Sequence, residues 1–404
     1  MALLELDTAL ERMLDDLAPI ERTERVDLAD ALGRVLAEAP IARTAVPPFA
    51  NSAMDGYAVC AEDPIHADGG HFEVVETIFA GRGPERAIGP GECARIFTGA
   101  PMPNGADAVI AQEDAVVDAA GVRFEERPTP GRFVRAAGGD VVSGETLVEV
   151  GTRLHAGSIA LLAAAGVANV IVRARPRVAV IATGDELRPP DADLAPGEIH
   201  DSSTFAIPAV AATLPVRVTL VMRAGDTPEA LAQTLDRAAA EADAIITTGG
   251  VSVGDADHVR AVLDEAGQIE FWRLALKPGR PFAYGRYRAV PLFGLPGNPV
   301  SSMVTFLLLV RAGLLRLSGV TRLDLPRQQL RLAAPLRKAP GRRDFQRARL
   351  DADGRARAFE RQDSNILSVL AHADLLLDLP AEAGDLDADA EVSAIDLAGL
   401  LGQR

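Results

Sequence analysis

Residues 175–187 read RPRVAVIATGDEL, an unbroken apolar run followed by a glycine and two carboxylates. A run of that kind, apolar at consecutive positions, fits a strand covered on both faces, as in helix-flanked parallel sheets. VRVTLVMRAGD (216–226) and ADAIITTGG (242–250) repeat the form, with a helical pattern at about 228–241 between them. Further strands are expected at 269–274 and 290–293, then a helix from about 300. Apolar strands alternating with helices predict an α/β domain with a mainly parallel sheet over about 176–325.

Toward the N-terminus, apolar residues at helical spacing predict helices over 4–18 and 27–38, closed off by Pro47 and Pro48. From about 49 to 150 the chain turns to short strand patterns and Gly/Pro turns, as in HFEVVETIF (71–79), ECARIFTG (92–99) and GVRFEERP (121–128). This predicts a small β-rich part. Helical spacing returns at 152–169, with Gly166 as its stop. Beyond Pro326, QQLRLAAPL and FQRARLDADGRARAFE predict a small C-terminal β domain.

A chain of 404 residues has room for two to four domains. Its two cysteines, Cys60 and Cys93, make neither a disulfide framework nor a metal-ligand spacing, so a cytoplasmic setting is expected. The opening MALLELDTALERMLDDL carries acids inside its apolar pattern, unlike a signal peptide, and no uncharged apolar run reaches the length of a membrane span. The net charge of −16 argues against a nucleic-acid surface. Lys277 and Lys338 are the only lysines.

In open α/β sheets, ligands bind beyond the carboxyl ends of the strands. Four polar segments stand there. Thr183-Gly184-Asp185-Glu186 offers carboxylates to a metal or a polar ligand, although capping by Asp185 would also account for it. In Ala224-Gly225-Asp226-Thr227-Pro228, helix capping by Asp226 or Thr227 explains much of the motif. The run 247–257, TTGGVSVGDAD, includes Gly249, Gly250, Ser252 and Gly254. It can present backbone N–H groups to an anion, with Asp255 and Asp257 near a bridging cation. It is neither a Walker loop nor a dinucleotide fingerprint. The last segment joins Leu276-Lys277-Pro278-Gly279-Arg280 to Pro296-Gly297-Asn298-Pro299, with Ser301 as a candidate helix cap. Lys277 is a point charge suited to phosphate or another oxyanion, and Arg273 could add a second charge.

Together these pieces resemble the molybdopterin molybdenumtransferase family, which includes the C-terminal domain of gephyrin. The resemblance rests on PPFANSAMDGYAV (47–59), RIFTGAPMPNGADAVIAQE (95–113), TGDEL (183–187), TTGGVSVGDAD (247–257), LALKPGRPFAYG (274–285), LFGLPGNPVSS (292–302) and GRRDFQRARL (341–350). It implies a discontinuous helical part (1–46 with 141–175), a β-rich part (47–140), an α/β molybdopterin-binding domain (176–325) and a C-terminal β-barrel-like domain (326–404). It further implies a homodimer with a composite active site. The implied reaction takes adenylyl-molybdopterin and molybdate and cleaves the phosphoanhydride with Mg²⁺, giving molybdenum cofactor and AMP. A molybdopterin adenylyltransferase and molybdoenzyme acceptors are the implied partners.

By matching positions, Glu186, Asp226 and Asp257 would organise Mg²⁺, and Lys277 and Arg273 would bind phosphate or molybdate. Pro296 and Pro299 would shape the pocket, while Asp55, Thr98 and Asp140 would face the α/β domain of the other subunit. Gly139, Ser203, Arg280, Asn365 and Val369 depart from the usual pattern, and Arg342, Arg343 and Ser368 are further candidates for oxyanion contact. Two other readings are an adenylyltransferase-like enzyme and a non-catalytic scaffold. The first lacks a need for the N-terminal β-rich and C-terminal parts. The second gains nothing from the retained acids and Lys277.

Overall fold

The computed structural model describes residues 3–225, 227–250, 262 and 267–402. Its central sheet runs Arg217–Ala224, Arg177–Thr183, Ala244–Thr248, Val290–Leu295, Pro281–Tyr287, Gly267–Arg273. The first four strands are parallel and the last two antiparallel to their neighbours. Residues alternate between two cores, as the strand period of two requires. Val178, Val180, Ala244 and Ile246 meet Ile207, Val210 and Ala211 of the helix Ser203–Ala211. Ala179, Ile181 and Ile245 meet Leu231, Leu235 and Ala238 of the helix Pro228–Glu241. Those three helical residues lie four and three apart, so they share one face. Thr227 caps this helix by accepting a hydrogen bond from Ala230 N at 3.2 Å, with Pro228 at the first position.

The chain from Pro299 to Leu317 is one helical rod that widens to a π-turn over Phe306–Val310. By length and composition it could cross a membrane, but 89% of it is buried in the protein, so it is a core helix. Its N-cap position is Asn298 rather than the expected Ser301, which lies inside the helix and is buried.

The N-terminal reading needs two corrections. The helix Leu6–Asp16 forms, but Leu6, Ala9 and Met13 pack into the core of the α/β sheet beside Trp272 and Leu314. Leu4 and the segment around Arg273 and Ala275 exchange backbone hydrogen bonds of 2.8 Å. Over 27–38 no α-helix forms. A strand, Thr23–Asp27, pairs antiparallel with Asn169–Arg173, one 3₁₀ turn follows at Leu28–Asp30, and Val35 and Leu36 then bridge to Arg153 and Val172. Gly33 holds φ +72°, which a helix cannot contain. The helical spacing of Ala31 and Val35 therefore reflects burial against neighbouring segments. Segments 1–46 and 141–175 meet through these pairings and through Ile41–Thr146 and Val46–Val141, while the later segment supplies the helix Ala156–Ala164.

The β-rich part is a four-stranded sheet ordered Glu73–Ile78, Glu92–Ile96, Gly56–Val59, Ala108–Ala111, with a hairpin Ala115–Asp118/Gly121–Phe124. The C-terminal part is a six-stranded sheet whose edge member, Leu276–Lys277, comes from the α/β segment and pairs parallel with Arg343–Leu350. Cys60 and Cys93 are both free, and burial pushes the Cys93 thiol up to about 12.

Candidate active site

Strand register brings four chain ends to one edge. Thr183 is level with Ala224, Ala182 with Thr248, and Thr248 with Leu295. The chain leaves Arg177–Thr183 for Arg217–Ala224 on one side of it and then crosses back to place Ala244–Thr248 on its other side. That reversal opens a crevice between the loops at Gly184 and Gly249, where ligands of such sheets bind.

The loops approach so closely that glycine is required. Gly249 has φ +87°, and a Cβ there would lie 2.7 Å from Thr183 Oγ1 and 2.8 Å from Thr183 O. Its N–H donates to Leu295 O at 3.1 Å, and a Cβ on Gly297 would be 3.7 Å from Gly249 Cα. At Gly184, φ is +141° and a Cβ would sit 2.4 Å from Glu186 Oε2. The Glu186 carboxylate thus folds back over the turn, exposed. A Cβ on Gly225 would be 3.5 Å from Asp185 Oδ1, so the first two loops converge as well.

Asp226, Ser252, Gly254, Asp255 and Asp257 lie outside the described residues. Of the three expected Mg²⁺ ligands, Glu186 alone is described. Among the described residues no three His, Cys, Asp or Glu side chains form a metal cluster. Glu186 and the neighbouring Asp185 provide oxygen donors, the type a hard divalent cation takes.

The basic side is built by pairing across sequence. Lys277 lies opposite Asp344, its Nζ 3.7 Å from Oδ2, with the lysine side chain 49% exposed and the aspartate 8%. Asp344 also accepts from Gln346 Nε2 at 3.1 Å. Next to it Arg342 is exposed and has no bonding partner among the described residues. Arg343, by contrast, is committed to Asp378 (2.7 Å twice) and Asp7 (3.1 Å), which makes it structural. The other lysine, Lys338, is buried and donates to Ala383 O at 2.8 Å and Ala381 O at 3.2 Å. Arg273 is half-buried, and Arg280 is exposed.

Pro296 is buried, and its carbonyl accepts from Ser302 Oγ, which locks the turn before Pro299. At the start of that helix Val300 N donates to Ser364 O at 3.2 Å, so the divergent segment 361–370 packs against this turn. Ser368 is exposed there. Ser203, at another departure, donates its N–H to Asp201 at 2.9 Å, within a helix-capping turn.

In the β-rich part, Asp55 and Thr98 form one unit. The Thr98 N–H and Oγ1–H both donate to Asp55 Oδ1 at 2.8 Å. Those two bonds, with Arg95 nearby, hold the Asp55 carboxyl below the ordinary aspartate value. Asp140 is exposed, and its N–H donates to Val46 O at 2.9 Å. No hydrogen bond or ion pair among the described residues joins this group to the α/β loops. Asp344 and the Ser364 carbonyl were missed by the sequence reading. The acid after two arginines in GRRDF was the available signal for the first, and nothing marked the second.

The comparisons agree over nearly all of the chain. Residues 4–166 match the family described as MoeA N-terminal region (domain I and II), residues 179–316 a probable molybdopterin binding domain, and residues 329–397 the MoeA C-terminal region (domain IV). A molybdopterin molybdenumtransferase of Haemophilus influenzae is 37% identical, over 99% of this chain and 100% of its own. Molybdopterin molybdenumtransferase 2 of Mycobacterium tuberculosis is 36% identical, over 96% and 98%. The crystal structure of a molybdopterin biosynthesis moeA protein from Pyrococcus horikoshii OT3 superposes with a TM-score of 0.86 at 29% identity, covering 98% of this chain and 100% of that one. With the crevice at the sheet's switch point and both flanking parts present, the chain belongs to the MoeA family of molybdopterin molybdenumtransferases.

Proposed function

We propose that the protein inserts molybdenum into molybdopterin, taking molybdate and adenylyl-molybdopterin and releasing molybdenum cofactor and AMP. The observation that carries this reading is the convergence of the Gly184–Glu186, Gly249–Gly250 and Pro296–Asn298 loops at one edge of the sheet. A pyrophosphate linkage needs backbone donors, positive charge and a cation, and the Glu186 carboxylate at the crevice with Lys277 and Arg342 on its basic side support that reading. Mg²⁺ held by Glu186 with Asp226 and Asp257 would polarise the phosphoanhydride and stabilise charge on the departing phosphate. Lys277, Arg273 and Arg342 would hold molybdate oxygens or phosphate, with Ser368 at the rim. Pro296 and Pro299 fix the turn that walls the pocket.

The Asp55–Thr98 unit and Asp140 make no bond to the loops of their own chain among the described residues. That separation supports a homodimer in which they complete the partner's cleft. Asp55, held ionised by Thr98, would act there as a carboxylate. A cytoplasmic location, a molybdopterin adenylyltransferase as supplier and molybdoenzymes as acceptors complete the proposal. The deciding experiment supplies purified protein with adenylyl-molybdopterin, Mg²⁺ and molybdate and follows AMP. Molybdate-dependent release, with pterin-bound molybdenum formed in step, is expected. Tight substrate binding without release would overturn the assignment in favour of a scaffold.

A further inference from the structure

A second concave site lies at the opposite, amino-terminal end of the central sheet. It is a cavity of about 770 Å³ between the N-terminal segment and the first residues of two sheet strands. Arg22, Arg34, Arg175, Arg177 and Arg217 line it, with Glu24 and Asp30 at the same surface. Arg177 begins the strand that ends at Thr183, so the cavity and the active-site crevice lie about 20 Å apart along it.

The cationic groups are incompletely neutralised. Asp243 takes hydrogen bonds from both Arg22 (3.0 and 2.6 Å) and Arg177 (3.2 and 3.0 Å), so one carboxylate serves two guanidinium groups. Arg34 is 8% exposed and bonds through Nη2 to Glu24 at 2.8 Å and to Arg173 O at 3.1 Å, while its buried Nε has no hydrogen-bond partner among the described residues. Arg175 and Arg217 are exposed, and neither side chain has a partner among the described residues. Arg153 has its basicity lowered by burial and then by the charge of Arg175. An acidic chain with net charge −16 thus gathers five arginines in one hollow, and Arg175 and Arg217 among them have no side-chain partner among the described residues.

We propose that this cavity binds a compact polyvalent oxyanion of the pyrophosphate or tripolyphosphate class. Planar guanidinium forks bind phosphate oxygens in pairs, and several forks around one hollow suit an anion with several such oxygens. The volume lies in the range of small-molecule sites. Glu24 and Asp30 interrupt the positive surface, which disfavours a long polyanion and favours a small one seated between the arginines. Because the ligating groups come from the Arg22–Arg34 segment and from the sheet, occupancy would clamp the two together and raise thermal stability by mass action.

The test is calorimetric titration of the full-length protein with tripolyphosphate, alongside thermal melts. Three forms are compared: unmodified protein, Arg175→Glu/Arg217→Glu, and Lys277→Ala/Arg342→Ala. The proposal expects binding that survives in the Lys277/Arg342 variant and weakens by about tenfold or more in the Arg175/Arg217 variant. It also expects a melting temperature that rises with ligand only where binding survives. Should charge reversal disturb folding in the ligand-free melt, Arg175→Ala/Arg217→Ala replaces it. Binding unaffected at Arg175/Arg217, or lost in the Lys277/Arg342 variant, would overturn the proposal by placing the anion in the active site. So would binding of poly-glutamate but not of tripolyphosphate, since the cavity would then be a docking surface for acidic polypeptide.

Discussion

Lys277 and Asp344 stand opposite each other in a parallel pair formed by residues 67 positions apart, ammonium and carboxylate separated by 3.7 Å. The half-exposed lysine can reach a ligand, while the buried aspartate cannot move away. Asp344 also faces inward, contributing favourable charge to Arg347, which is fully buried and whose basicity burial lowers. The two residues should therefore fail differently. Lys277→Ala should cut molybdate-dependent turnover by about a hundredfold or more, as for loss of one electrostatic contact to a developing charge. Its denaturation midpoint should shift little, because the lysine is half-exposed and Asp344 keeps its bond from Gln346. Asp344→Asn should lower stability by up to about 3 kcal/mol, because Asp363 alone would then offset the buried Arg347 charge. Parallel urea melts and AMP-release rates check both, and equal stability losses would refute the division of roles.

Glu186→Gln should leave the melting curve unchanged, since the exposed carboxylate has no hydrogen bond among the described residues that the amide would break. Metal insertion should fall sharply, and the Mg²⁺ concentration giving half-maximal rate should rise. An unaltered Mg²⁺ response would remove Glu186 from the cation site.

Much of this was readable before the fold was known, because the signals are local. RPRVAVIATGDEL and ADAIITTGG carry their burial on consecutive residues, and both became central strands. The 27–38 stretch misled because apolar spacing alone cannot tell a helix face from an extended chain pinned by distant partners such as Arg153 and Val172. The strand Pro281–Tyr287 was not anticipated between the expected strands at 269–274 and 290–293. The basic flank was only half legible. Lys277 stands out in LALKPGRP, but its closeness to Asp344 and Arg342 depends on a strand pairing between two parts of the fold. Likewise, the family resemblance suggested Arg343 as an oxyanion contact, but Asp7 and Asp378 occupy its donors.

Steric limits at the crevice give a graded test. Gly249→Ala would place a methyl group 2.7–2.8 Å from the Thr183 hydroxyl and backbone oxygen at a φ of +87°, so stability should drop by about 1–3 kcal/mol and activity with it. Gly297→Ala makes only an ordinary 3.7 Å contact with Gly249 and has no positive φ. It should fold normally yet raise the KM for adenylyl-molybdopterin by narrowing the crevice. An unchanged KM would mean that the substrate does not pass between these loops.

The Asp55–Thr98 unit can be titrated directly. Thr98→Val keeps the backbone N–H donor and removes the hydroxyl, so the Asp55 carboxyl should move part of the way back up toward the ordinary aspartate value. NMR of the labelled side-chain carboxyl reads this shift. At neutral pH Asp55 stays ionised either way, so turnover should change little if its role is that of a carboxylate. A large loss of turnover would assign the work to the Thr98 hydroxyl instead.

Acid stability should depend on Asp243, which ties the N-terminal segment to the sheet through Arg22 and Arg177. Burial pushes its carboxyl up, but the hydrogen bonds from the two arginines outweigh burial and hold it well below the ordinary value. A carboxyl with a depressed folded-state pKa stabilises the fold fully above its unfolded value. That contribution disappears as pH falls through the folded one. Melts of the unmodified protein should therefore lose stability progressively below the ordinary aspartate range, around pH 4 and lower. Asp243→Asn should already be less stable at neutral pH, by about 1–2 kcal/mol after allowance for the solvent exposure of both arginines. Its stability should then fall less steeply with acid. Superimposable acid limbs for the two proteins would show that this junction does not control the acid transition.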